Sequence, residues 1–222
     1  MSFSSIIIII VSYLLGSVPF GYLVTRFSTG RNILKIGWRK TSGSNVFRNV
    51  GALQGLATGL GDVGKGFLAV ILAQNFGFSP QVQALSGVAA VTGHNWSIFL
   101  KFAGGRGIGT FIGAFLALNP QILGFSIIPL LFLALIWNAS IGTIFFLITS
   151  LFLSVYFNQF QTIGILTLVS LAPIFIKRLS PIEELKKTED RNALIRNRLI
   201  FDDDIPKFNL RINRIIKKLT KS

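Results

Sequence analysis

From Gly66 to Ile176 the chain carries only two charged side chains, Lys101 and Arg106. A stretch this poor in charge, in a chain that is 51% hydrophobic with 30 charged residues in 222, does not make an ordinary water-soluble domain. Apolar runs of about 17 to 25 residues are instead expected to cross a bilayer as helices. Breaks at Ser79-Pro80, Asn119-Pro120, Trp137-Asn138 and Asn158-Gln159 divide the chain into seven such segments, near 3–25, 51–75, 82–100, 105–118, 121–137, 140–157 and 160–176. The expected fold class is all-α: a polytopic membrane protein with seven transmembrane helices.

Charge sets the orientation. Six basic residues without an acid (Arg26, Arg31, Lys35, Arg39, Lys40, Arg48) fall in one connection, Lys101 and Arg106 in a second, and thirteen from Lys177 onward. Lysine and arginine beside spans collect on the cytoplasmic side. Fusing 105–137 into one kinked helix gives six spans and exports the thirteen-charge tail, whereas seven spans leave every basic connection on one side. The N-terminus is therefore expected outside and the C-terminus in the cytoplasm. Residues 1–25 carry no charge, and the run Ile6 to Leu15 has neither a basic flank nor a small-residue cleavage site, so the first span is expected to be retained. Short links leave one transmembrane domain, 1–176, and a basic tail, 177–222. In the tail Phe208, Leu210, Ile212, Ile215, Ile216 and Leu219 alternate with basic residues as in an amphipathic, lipid-facing segment. The net charge of +14 has this topological explanation and does not call for nucleic acid. There is no cysteine.

Chemistry concentrates at the cytoplasmic ends. Gly51, Gly55 and Gly59 recur every fourth residue, a spacing that lets membrane helices approach closely. Asp62 and Lys65, charged within an apolar segment and three apart, mark either a site or a neutralising pair. His94 is the sole histidine. It is either a hydrogen-bonded structural group or a donor to an oxyanion, and its seven-residue spacing from Lys101 places both on one helix face. Gly104-Gly105-Arg106-Gly107 can form a nest of backbone N–H groups beside a guanidinium suited to phosphate. The loop Thr41-Ser42-Gly43-Ser44-Asn45-Val46-Phe47-Arg48 repeats the theme, and two such loops on one side suggest one shared phosphate site. No Gly-x-Ser-x-Gly elbow occurs, no acid stands four residues after His94, and the span region has no second histidine or acid cluster for a metal. No metal or organic cofactor is indicated.

Three elements resemble the bacterial acyl-phosphate:glycerol-3-phosphate acyltransferases, the PlsY family. They are Tyr13 to Leu23, Asp62-x-x-Lys65-Gly66, and Gly93-His94 through Gly104-Gly105-Arg106-Gly107-x-x-Thr110. The resemblance covers about residues 10 to 115. It implies a seven-helix enzyme of the bacterial inner (cytoplasmic) membrane that moves a fatty acyl group from acyl phosphate to the 1-hydroxyl of glycerol 3-phosphate, giving lysophosphatidic acid and phosphate in phospholipid biosynthesis. It further implies His94, Lys101 and Lys65 as catalytic residues. Arg48, Ser44, Asn45, Asp62, Gly104, Gly105, Arg106 and Gly107 would bind substrate phosphate. The implied partners are the two substrates, membrane lipids and a soluble enzyme that forms acyl phosphate. Two departures stand out: Trp38, Arg39 and Lys40 occupy the family's Ser-Gly-Asn turn, and its histidine-bearing motif after the last span is absent. A noncatalytic paralogue or an organophosphate transporter on the same scaffold is the alternative, although no internal repeat of the transporter kind is found.

Overall fold

The computed structural model describes residues 2–204, all of whose regular elements are helical. Helices α1 (Phe3–Ser17) and α2 (Phe20–Thr29) form one apolar rod interrupted at Val18-Pro19, where proline cannot donate to the helical ladder. A short α3 (Gly43–Asn49) leads into the long α4 (Ala52–Asn75) and α5 (Pro80–Asn95). Then come α6 (Ile108–Leu118), α7 (Pro120–Ser126), α8 (Ile128–Ile136) and α9 (Ala139–Tyr156). A π turn at Phe160–Gly164 runs into α10 (Ile165–Arg178), followed by α11 (Ile182–Lys187) and α12 (Arg191–Phe201). The Asn119 and Asn138 breaks are N-caps: their side chains accept from the Ile122 and Ser140 N–H groups.

Each apolar segment read from the sequence is helical, with altered ends. The segment expected at 82–100 stops at Asn95, because residues 96–103 close a turn in which Lys101 and Phe102 take positive φ of 54° and 64°. The segment at 121–137 is divided at Ile127. Four helical stretches are long and apolar enough to cross a bilayer: Phe3–Thr29, Ala52–Asn75, Ala139–Tyr156 and Phe160–Arg178. Ile108–Leu118 and Pro120–Ile136 are apolar but shorter.

The core lies where α4, α5, α6, α9 and α10 meet, around the rings of Phe111, Phe115 and Phe146, whose centroids are 5.6–6.2 Å apart. Several helix pairs touch backbone to backbone, α4 with α6 and α1 with α5 most closely. A Cβ on Gly66 of α4 would lie 2.0 Å from the Thr110 carbonyl, and one on Gly113 of α6 would lie 1.9 Å from that of Val63. Gly16 and Gly93 stand in the same relation between α1 and α5. Close approach of this kind maximises dispersion contact where lipid offers no hydrophobic contrast. The stripe expected to pack a spanning helix does something else. Gly55 admits Phe47 of α3, whose Cβ lies 2.4 Å from the position of an added Cβ, and Gly59 has nothing within 4 Å. Many of the large apolar side chains of α1, α8 and α9 point outward, as a lipid-facing surface requires.

Beyond α10 the chain folds back. Arg178 donates to the Leu199 carbonyl at 2.6 Å, and Arg198 to the Leu179 and Pro181 carbonyls at 3.0 Å. Glu184 joins Arg198 (2.5 Å) to Arg39 (2.6 Å), tying the tail to the first basic loop. Residues 177–204 are thus docked rather than detached. The amphipathic stretch from Phe208 to Leu219 lies outside the described residues.

Candidate anion-binding site

A cavity of about 740 Å³ opens among these elements. Ser44, Phe47 and Arg48 of α3 line it, with Leu56, Gly59, Leu60, Asp62 and Val63 of α4, His94 of α5, and Arg106 and Gly107 of the loop before α6. Leu130 of α8, Ser140 and Thr143 of α9, and Asp202 after α12 complete the wall. The guanidiniums of Arg48 and Arg106, both beside the Trp38 ring, share this lining with aliphatic side chains from α4 and α8.

Beneath the cavity Asp62 is the hub of a buried triad. Its Oδ1 lies 3.1 Å from Lys65 Nζ and 3.2 Å from His94 Nδ1. Lys65 also donates to the Val18 carbonyl at 2.8 Å and faces the Phe20 ring. Lys65 is 2% exposed and does not line the cavity; its Nζ is engaged by Asp62 and the Val18 carbonyl. The i, i+3 pair is as expected, while the addition of His94 is a tertiary fact.

Lys101 does not share a face with His94. The helix ends at Asn95, and residues 96–103 are held by Phe102 N–H to Ser97 O (2.8 Å), Ser97 N–H to Ala103 O (3.1 Å) and Ser97 Oγ to Ser17 O (2.5 Å). Lys101 is left exposed at the turn and outside the cavity wall.

The glycine nest is likewise smaller than expected. Gly105 N–H donates to the His94 carbonyl at 3.0 Å, and the Gly104 carbonyl accepts from Thr41 N–H at 3.3 Å, so these two bind loop to helix and loop to loop. Gly105 lies directly over the imidazole: a Cβ there would come within 2.0 Å of Nε2. Gly107, at φ +82°, and Arg106 reach the cavity.

Asn45 points inward. It donates to the Lys40 (2.8 Å) and Ile36 (3.1 Å) carbonyls and accepts from Trp38 N–H (3.0 Å), which makes it the organiser of the first loop. Ser44 and Arg48, one turn apart on α3, are polar members of that loop that line the cavity, beside Phe47.

Two residues escaped the sequence reading. Asp202 pairs with Arg106, Oδ2 to Nε 2.5 Å, and its backbone carbonyl accepts from the same guanidinium at 2.9 Å. Lys40 lies 3.8 Å from its other oxygen. Burial pushes the Lys40 ammonium down to about 8, helped by Arg106 and opposed by Asp202. Burial raises Asp202 above the usual carboxylate range despite Arg106 and Lys40. The run of three acids, Asp202 to Asp204, in an otherwise basic tail was the available signal. Trp38 is the second: the guanidinium carbons of Arg48 and Arg106 lie 4.9 and 4.6 Å from its ring.

Comparison with known proteins places this arrangement. The family model described as "Glycerol-3-phosphate acyltransferase" matches residues 6–188. "Glycerol-3-phosphate acyltransferase 5" of Dehalococcoides mccartyi is 32% identical over 96% of this chain and 95% of its own length. A Prochlorococcus marinus (strain MIT 9515) protein named "Glycerol-3-phosphate acyltransferase" is 36% identical over 84% of this chain and 96% of its own. A Synechococcus (strain CC9902) relative is 45% identical over 53% of this chain, and there the match spans only 59% of the relative's length. Among solved structures, PlsY (YgiH), an integral membrane glycerol 3-phosphate acyltransferase in its glycerol 3-phosphate form, superposes with a TM-score of 0.72 at 26% identity, covering 83% of this chain and 92% of that one. Its lysophosphatidic acid form gives 0.68 at 27% identity with the same coverage.

Proposed function

We propose, since this chain belongs to the glycerol-3-phosphate acyltransferase family, that it acylates glycerol 3-phosphate in phospholipid synthesis, with acyl phosphate as donor. The observation that carries this reading is the polarity of the cavity. Two guanidiniums and a serine line the same cavity of about 740 Å³ as the aliphatic side chains Leu56, Leu60, Val63 and Leu130. That combination suits a phosphate monoester meeting an acyl chain, and the solved relatives were captured with glycerol 3-phosphate and lysophosphatidic acid.

Acyl phosphate is already activated, so positioning and charge stabilisation suffice. The 1-hydroxyl oxygen attacks the acyl carbonyl carbon, the bond from that carbon to the phosphate oxygen breaks, and the hydroxyl proton leaves with inorganic phosphate. Arg106 and Arg48 hold phosphate oxygens, Ser44 donates to one of them, and Gly107 keeps the backbone close. His94, oriented by Asp62, positions the nucleophile from the cavity floor. Lys101 then serves the membrane face rather than the reacting atoms.

The same reading has seven crossings, the N-terminus outside, and a membrane body of 1–176 whose basic loops and tail face the cytoplasm of a bacterium. The single-sided distribution of lysine and arginine supports it. A soluble enzyme would deliver acyl phosphate from that side.

The test is turnover by the full chain in bilayer discs, with glycerol 3-phosphate and, in parallel, palmitoyl phosphate, palmitoyl coenzyme A and palmitoyl carrier protein. Product from palmitoyl phosphate alone, lost in Arg106→Ala, is expected. Equal product from a thioester donor would refute the donor assignment.

A further inference from the structure

The two guanidiniums that face the cavity come from different parts of the chain, Arg48 from α3 and Arg106 from the loop before α6, and their like charges repel. The Asp202 carboxylate, 2.5 Å from Arg106 Nε, offsets this from one side, and a second contact is shared by both arginines. Both lie within 5 Å of one aromatic ring, Arg48 at 4.9 Å and Arg106 at 4.6 Å from the Trp38 centroid. An indole is the strongest of the natural rings for a cation over its face. The main chain that carries the ring is fixed from behind. The Trp38 backbone N–H donates to the buried Asn45 at 3.0 Å, and Asn45 holds the carbonyls on both sides, Ile36 and Lys40. The loop thus anchors the residue at its backbone, and the guanidiniums of Arg48 and of Arg106, the latter also held by Asp202, converge on its indole.

We propose that Trp38 is a positioning residue that gathers Arg48 and Arg106 into one dicationic receptor for a phosphate. The inference rests on the reading of this cavity as a phosphate-substrate site. It assigns a purpose to the residue where the first loop departs from the turn usual in its family. A guanidinium over a ring face still turns N–H groups outward to phosphate oxygens; at Arg106 one edge is engaged by Asp202, which leaves its other Nη to reach a phosphate beside Arg48. Preorganisation of this kind lowers the ordering cost of binding rather than adding contacts.

The experiment replaces Trp38 in the full chain, in bilayer discs at low salt, by mono-, di- and trifluorotryptophan, which weaken the negative ring face with almost no change of shape. Trp38→Leu and Trp38→Tyr accompany the series. Binding of inorganic phosphate is read by calorimetry, and KM and kcat by turnover. Phosphate affinity should fall stepwise with fluorination. It should drop about tenfold in Trp38→Leu and return to within about threefold in Trp38→Tyr, with the loss in KM for the phosphate substrates larger than that in kcat. A flat fluorination series, equal losses in the leucine and tyrosine variants, or no phosphate binding by the wild type would each overturn the proposal. Graded phosphate binding in a wild type that turns over no acyl phosphate would sustain the role of Trp38 and refute the acyltransferase reading instead.

Discussion

Gly105→Ala is the substitution for which the structure gives the sharpest expectation. The added Cβ would stand 2.0 Å from His94 Nε2 and 2.7 Å from Cε1, where ordinary contact begins at 3.4 Å. The ring must retreat by about 1.4 Å, and it has little room: His94 is 4% exposed, and its Nδ1 is 3.2 Å from Asp62. The loop cannot yield instead without breaking the Gly105 N–H bond to the His94 carbonyl and the Gly104 bond to Thr41. Overpacking of a tight site costs about 1–3 kcal/mol, and an ångström of misplacement costs about a hundredfold in rate. The expected result is kcat/KM for glycerol 3-phosphate reduced about a hundredfold, with the melting temperature in detergent lowered by only a few degrees. Gly64→Ala, which has nothing within 4 Å and lies in the same helix as Asp62, should leave both unchanged. Activity within threefold of wild type in Gly105→Ala would refute the placement of His94 on the cavity floor.

Three further outcomes follow from the charges. Asp202→Asn removes the carboxylate that engages Arg106 and Lys40, so inorganic phosphate should inhibit about tenfold more strongly; weaker inhibition would mean that Asp202 builds the site instead of competing for it. Lys40 is protonated below about 8 and neutral above it, so affinity for glycerol 3-phosphate should fall as pH rises through that value, and Lys40→Arg should abolish the step in a KM profile. Lys65→Met leaves Asp62 without its nearest cation and should destabilise the protein by about 3–5 kcal/mol, whereas Asp62→Asn with Lys65→Met should melt near wild type yet remain inactive.

Much of this architecture is legible along the chain because its rules are local. Apolar length and proline or asparagine breaks located every apolar helical segment, though not the short α3, α11 and α12, and Asn119 and Asn138 proved to be caps. The Asp62 and Lys65 pair follows from three-residue spacing alone. Other features required coordinates. The seven-residue spacing of His94 and Lys101 means a shared face only if the helix continues, and Ser97, by bonding to α1 and across its own turn, ends it. The Gly51, Gly55, Gly59 stripe signalled close approach correctly but could not name its partner, which is Phe47 of the adjoining short helix. Asn45 carries the residue type of a ligand, yet its donors and acceptor are consumed by the loop it sits in. The acidic run around Asp202 was visible, but its partner was not: the bond to Arg106 spans 96 residues, and no periodicity reaches that far.

That separation also has a meaning in time. Ribosomes add about 5–20 residues per second, so the 96 residues between Arg106 and the Asp202 carbonyl it bonds take about 5–20 s to make. Throughout that interval the arginine exists and its carboxylate does not. Until the stretch around Asp202 is made, the charge of Arg106 has no carboxylate to meet, so the pairing that ties the tail to the loop before α6 can close only after the whole helical body has been synthesised.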